Sequence, residues 1–266
     1  MTNTPHYGST LRFNAMKITS RLFHRWLSVV IGVQLLLWTV SGLIFSWNPI
    51  KQVRGEHRIQ DQEPLDLSAF ELLDSRSLLT DPNLIPADAS VSEYKLRQLL
   101  DRPVLELTLQ NSETSHVLVD AVSGERLSPI SRELAEAIAL SDFSEPAAVI
   151  RSELLDQPES GHSEYRSKET PAWKVELDHS SGTVIYVSAN RGQVVTRRNN
   201  RWRLFDFFWM LHTMDYEGRD NFNSWLLRII SSLGVLSVLT GYWLWLKTGK
   251  KRPRKTKGPA APNSSL

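Results

Sequence analysis

A chain of 266 residues with 31 lysines and arginines against 29 acidic residues carries a formal net charge of +2, an average that hides how unevenly charge and apolar residues are placed. It holds no cysteine, which excludes disulfides, zinc thiolate sites, iron–sulfur clusters and CxxCH haem attachment. HExxH, a Walker loop, GxGxxG and GxSxG are all absent, so zinc proteolysis, nucleotide hydrolysis and dinucleotide binding lack a motif, and no catalytic residue is assigned.

The first 25 residues hold Arg12, Lys17, Arg21 and Arg25 without an acidic side chain. From Trp26 to Trp47 the run WLSVVIGVQLLLWTVSGLIFSW is uncharged, and Gln34 is its only strongly polar side chain. About 20 apolar residues cross a hydrocarbon layer of roughly 30 Å, so residues 26–47 are expected to span a membrane. A cleaved signal peptide has an apolar centre of only about 7 to 15 residues; this longer run, ending in SWNPIK, reads as a retained anchor.

Residues 48–200 are expected to form an α+β domain, and comparing them with themselves reveals a repeat. RPVLELTLQNSETSHVLVDAVSGERLS from Arg102 superposes without a gap on TPAWKVELDHSSGTVIYVSANRGQVVT from Thr170. Pro103 meets Pro171, Leu109 meets Leu177, Val119 meets Val187 and Gly124 meets Gly192. Apolar and polar residues alternate on either side of the polar clusters NSETS and DHSSG, so each unit reads as a β-hairpin. SGE and RGQ then permit a positive φ in a tight turn. LSAFELLDSRSLL after Asp66 and ISRELAEAIAL after Ser128 and Pro129 show helical spacing behind capping residues. QPESGHSEYRSKET has no periodicity and reads as a mobile linker between units at about 91–141 and 165–200.

Residues 201–228 are expected to lie at the membrane interface. If helical, RWRLFDFFWMLHTMD aligns Trp202, Phe205, Phe208, Trp209, His212 and Tyr216 on one aromatic face. Such a helix lies flat on the outer surface, or it walls a flat macrocycle with His212 as axial ligand and Trp209 and Phe208 as pocket walls. A second apolar run, IISSLGVLSVLTGYWLWL over residues 229–246, closes with Tyr242, Trp243 and Trp245, residue types suited to the interface. KTGKKRPRKTK then opens the tail 247–266 with seven basic residues and no acid. Basic flanks stay in the cytoplasm, so both tails are expected there and the central domain on the far side. The tails contribute +4 and +7 to the net +2, which leaves −9 for residues 48–228. A basic run directly after a membrane helix reads as a topology signal that meets anionic lipids, and no nucleic-acid partner is expected.

Counted at 3.6 residues per turn, His24 shares a helix face with Ser28, Gly32, Leu35, Thr39, Gly42 and Ser46. Small residues let helices approach closely in lipid, and Ser231, Gly234 and Gly241 form a matching series in the second run. His24 is therefore expected on the packing side. There it stands open to three roles: haem ligand, proton relay, or hydrogen-bonding group at the cytoplasmic interface. His57, His116, His162 and His179 read as solvated polar residues. DHSS at Asp178–Ser181 contains triad residue types, but neighbours in one turn are not expected to form a relay.

HRW leading into a helix with SG near its outer end, hairpins of the form VxL…VDxxSGE, and RWRLFDFFWMLHTMD before a final helix containing TG resemble the PepSY-associated transmembrane family over Arg21 to Leu246. The resemblance implies two transmembrane helices flanking an exported domain of two repeated hairpin and helix PepSY-like units. It also implies a bacterial inner-membrane location with a periplasmic central domain, and a role in regulating proteases or peptides of the envelope. Some larger members, with four transmembrane helices, are similar to haem-containing ferric-siderophore reductases, which adds iron uptake and electron transfer as a second reading. His24 and His212 then become candidate ligands of b-type haem, and no metal is expected beyond haem iron. Because the two histidines lie near opposite ends of a bilayer-long helix pair, one iron cannot hold both; two haems would require a homodimer with a four-helix bundle. The first expectation is nevertheless a binding or regulatory protein acting on an envelope protein or peptide. A third is a structural accessory packed on a neighbouring transporter.

Overall fold

The computed structural model describes residues 8–112, 114–166, 168–219 and 221–248, with side chains from Leu22 to Lys247. The basic run beyond Thr248, with the anionic-lipid contact expected of it, and the side chains of Arg12, Lys17 and Arg21 lie outside the described residues. The chain divides into two compact units, Met1–Thr39 with Phe222–Leu266, and Val40–Asn221.

Helix α1 (Gly8–Trp47) and the last helix, α6 (Trp225–Thr248), contain the two apolar spans, Leu22–Trp47 and Trp225–Lys247. At 1.5 Å per residue these rise about 39 Å and about 35 Å, enough to cross a membrane. In the first unit the two helices meet antiparallel. His24 stands against Thr240 and Gly241, Ser28 against Ser237, and Ile31 against Gly234.

The contact face differs from the expected one. Among the described side chains of α1, from Leu22 on, Ile31, Gln34 and Ser41 are buried, at spacings of three and seven. Gly32 and Thr39 point outward, Leu35 is 44% exposed, and a methyl on Gly32 or Gly42 would meet nothing within 4 Å. Paired helices keep contact on a repeat of 3.5 residues, whereas a face counted at 3.6 drifts by about 20° per heptad. Gly32 stands about 80° round the helix from His24, so that Ile31 shares the His24 face in its place, whereas the drift takes Gly42 off the seam. Gly234 and Gly241 remain on it, 3.9 Å from Ile31 Cγ2 and 3.4 Å from His24 Cε1 when given a Cβ.

The second unit carries two antiparallel sheets. Strands β1 (Ser90–Leu99), β2 (Arg102–Gln110) and β3 (His116–Asp120) form one, in the order β1-β2-β3. Strands β4 (Val149–Leu155), β5 (Ala172–Leu177), β6 (Val184–Ser188) and β7 (Val194–Arg198) form the other, in sequence order. The two hairpins repeat pair by pair: Leu105↔Val119 and Leu107↔Val117 in the first correspond to Trp173↔Val187 and Val175↔Ile185 in the second. Gly124 and Gly192 both take positive φ, +74° and +59°, and each donates its N–H four residues back, to Asp120 and Ser188. The likeness extends to the strands before the hairpins, which the sequence did not reveal. β1 bulges at Val91/Glu93 opposite Leu109, and β4 bulges at Val149/Arg151 opposite Leu177.

Helix α4 (Arg132–Asp142), capped by Ser131 and not by Ser128, lays Ala135, Ile138 and Ala139 into a core shared with Val104, Leu118, Val175, Ile185 and Val187. Burying such an aliphatic side chain contributes about 1.5–3 kcal/mol, so this core joins the two sheets. The single helix expected after Asp66 is two short pieces, a 3-10 turn at Leu67–Ala69 and α3 (Ser75–Leu79). Asp66 and Asp74 each claim the N–H two residues on, and a second cap starts a second element. The expected mobile linker is instead packed: Tyr165 is 1% exposed and its ring stacks 4.6 Å from that of Tyr186. Helices α2 (Ile50–Val53) and α5 (Asn200–Thr213, capped by Asn199) complete the unit.

Candidate functional site

Both ring nitrogens of His24 are engaged. Nδ1 lies 2.9 Å from Thr240 Oγ1 and Nε2 lies 3.3 Å from Ser28 Oγ, which continues to Ser237 Oγ at 3.3 Å. Inside a bilayer such side-chain bonds hold helices together because water offers no alternative partner. Of the three roles open to His24, the geometry realises the hydrogen-bonding one.

His212 lies in the second unit, where Asn199 caps α5 and aims its C-terminal half at the end of α1. Ser41 Oγ is 2.7 Å from His212 Nδ1, and the Phe45 ring meets the imidazole edge-on at 5.5 Å. Phe205 sits 4.6 Å from Phe45 and stacks 6.0 Å from Trp209, whose Nε1–H donates to the Arg219 carbonyl. Burial lowers the His212 pKa below its ordinary value, which favours the neutral ring. Phe208 does not join this cluster; it packs edge-on against Phe207. Tyr216 falls beyond the helix, which ends when Met214 turns left-handed at φ 54°. Trp202 lies under the guanidiniums of Arg198, at 4.1 Å, and Arg166, at 5.6 Å.

Among the buried carboxylates of the described residues, Glu106 and Asp206 carry no local pattern that marks them in the sequence. Glu106 accepts from Arg97 Nε at 2.9 Å, Arg191 Nε at 2.7 Å and Gln193 Nε2 at 2.9 Å. Burial raises its pKa and the guanidiniums of Arg191 and Arg97 lower it; they prevail, so it titrates below the usual range. Asp206, 4% exposed, bridges Arg166 at 2.6 Å and Arg219.

Two histidines read as solvated are not. His116 faces Glu106 at 3.8 Å, and His179 links Ser181 to Glu145. His179 of DHSS joins a chain of hydrogen bonds whose acid is the distant Glu145, not its neighbour Asp178. Ser181 Oγ lies 2.7 Å from Nδ1, and Glu145 Oε2 lies 2.7 Å from Nε2. Ser181 N–H also points at Nδ1, at 3.2 Å, which makes Nδ1 the acceptor and Nε2 the proton carrier. Since Ser181 Oγ is 2.6 Å from Thr183 Oγ1 as well, and Glu145 is held by Arg58, the arrangement locks a hairpin turn onto the chain after α2.

On the face of the second sheet turned away from α4 lies a groove of 680 Å³. Lys174, Glu176, Val184 and Tyr186 line it from the sheet, Ile150 and Glu153 from β4, and Glu159 and Glu164 from the packed connection. That connection is pinned: a methyl at Gly161 would collide with the Glu217 carbonyl, and Arg203 Nε donates to Glu164 at 2.5 Å.

The family model described as PepSY-associated TM region matches residues 21–265. The chain belongs to that family. Comparison with curated proteins and with solved structures gives no match. Family and apolar spans together make this PepSY-associated chain a membrane protein.

Haem would have to meet His24 and His212 as these residues stand. For His24, both nitrogens are bonded and α6 covers the imidazole edge at Gly241. For His212, Nδ1 is bonded to Ser41, and the imidazole edge meets Phe45, whose ring packs in turn on Phe205 and Trp209. The residues of this PepSY-associated chain do not fit the group at either histidine.

Proposed function

We propose that the chain is a twice-spanning inner-membrane protein, both tails cytoplasmic, whose periplasmic body of two PepSY-like units binds and regulates an envelope polypeptide without catalysing a reaction. The observation that carries this reading over electron transfer is the employment of the two histidines. His24 bonds Thr240 and Ser28, and His212 bonds Ser41 inside an aromatic cluster. Both are packing groups, and the homodimer that paired haems would demand loses its reason. The matched hairpin registers support the two-unit body, and β1 and β4, the outer strands of the two sheets, supply recognition surface.

Site-directed photo-crosslinking in cells tests the reading. A photoreactive residue replacing Tyr94 on β1 or Ile150 on β4, both more than half exposed, is expected to give a discrete adduct with an envelope polypeptide. Absence of adducts from exposed positions on both strands would refute the binding function.

A further inference from the structure

We infer that the open edge of β4 is a strand-addition site for an extended basic peptide whose alternate side chains are basic and apolar. β1 and β4 are equivalent strands, each with its bulge opposite the same hairpin position. They differ in cover. At the C-terminal end of β1, the Gln98 side chain accepts from Leu65 N at 3.0 Å and donates to the Glu63 carbonyl, so residues 63–65 lie against that end of the strand. β4 is the first strand of its sheet and, among the described residues, pairs with β5 alone. Ile150 there is 65% exposed and Leu154 45%.

An edge strand offers unpaired N–H and C=O groups to another chain, while pockets beside it select alternate side chains. Successive residues of an added strand face opposite sides of the sheet. One set would stand beside Glu153 and over the groove; the other would stand beside Leu154, opposite Trp173 on the other face.

Charge decides what the groove set must be. Lys174 is bound to Glu176 at 2.8 Å and Arg203 to Glu164 at 2.5 Å. That leaves Glu153, which shares exposed Arg151 at 3.1 Å, and Glu159, whose partner is the Ser163 hydroxyl. The acidic surplus of the groove agrees with the −9 carried by residues 48–228, and it favours lysine or arginine on the incoming strand.

The inference rests on the binding reading, and peptides of defined sequence separate the two. Full-length protein in zwitterionic nanodiscs is titrated against a fluorescent octapeptide alternating valine and lysine, and against its valine–glutamate counterpart. The lysine peptide is expected to bind at least tenfold more tightly, and Glu159→Lys and Glu153→Lys to weaken it at least fivefold each with an unchanged circular dichroism spectrum. Equal affinity for the two peptides, binding of neither, or indifference to both reversals would overturn the β4 assignment. Crosslinks from Tyr94 persisting in cells beside such a result would leave the binding function standing; their absence as well would remove both.

Discussion

Removing the His24 imidazole perturbs the helix pair in a way the structure makes quantitative. His24→Ala deletes the bond to Thr240 at 2.9 Å and the longer one to Ser28 at 3.3 Å, and it empties the space against Gly241. Interhelical side-chain bonds in lipid average about 0.6 kcal/mol and reach about 1.7. With its short distance, the Thr240 bond belongs in the upper half of that range, so His24→Ala is expected to cost about 1–2 kcal/mol once lost packing is included. The specific term is the coupling between His24→Ala and Thr240→Val in a double-mutant cycle, expected at about 1 kcal/mol, or roughly fivefold in an equilibrium constant. Reversible unfolding in mixed micelles, followed by tryptophan fluorescence, measures it. Additive losses within about 0.3 kcal/mol would refute the clamp, because residues that do not touch show no coupling.

Glu106→Gln takes the charge from between Arg97 and Arg191 and is expected to destabilise the sheet unit by about 3 kcal/mol, the usual cost of breaking a buried pair on one side, read as a lowered melting temperature. Because Glu106 titrates below the ordinary carboxylate range, its stabilisation is present at neutral pH and lost as acid passes through that lowered value. Melting curves from pH 7 down to pH 3 should therefore fall for the parent and flatten for Glu106→Gln. Gly124→Ala and Gly192→Ala should each cost about 1–2 kcal/mol by thermal melting, since both glycines hold a positive φ and a methyl would meet Leu73 or Leu118 at 3.0 Å. Reporter fusions at both termini should be active only as cytoplasmic reporters, and an exported-type signal at either end would reverse the topology.

The sequence exposes features whose cause is local or periodic. Uncharged runs long enough to cross a bilayer announce α1 and α6, and the repeated alternation around NSETS and DHSSG announces the hairpins. Hidden features depend on geometry with no local signature. β4 was missed because VIRSELL breaks strict alternation at its bulge. The seam on α1 passes through Ile31, which lies about 20° from His24 where Gly32 lies about 80° away, and it leaves Gly42 because the repeat of a packed pair, not that of a lone helix, governs contact. Glu106 and Asp206 looked like ordinary surface acids, since the arginines that bury them arrive from 85 and 40 residues away. The histidines themselves stand out in the sequence, but their roles depend on Thr240 and Ser41, which no spacing rule connects to them.

The central claim is that His24 and His212 hold the protein together and that its periplasmic body binds. The most direct test is the absorption spectrum of dithionite-reduced protein, purified in detergent from haem-replete cells and quantified against protein concentration. The account predicts a featureless visible region. A sharp b-type spectrum near one haem per chain, abolished in part by His24→Ala or His212→Ala, would contradict it.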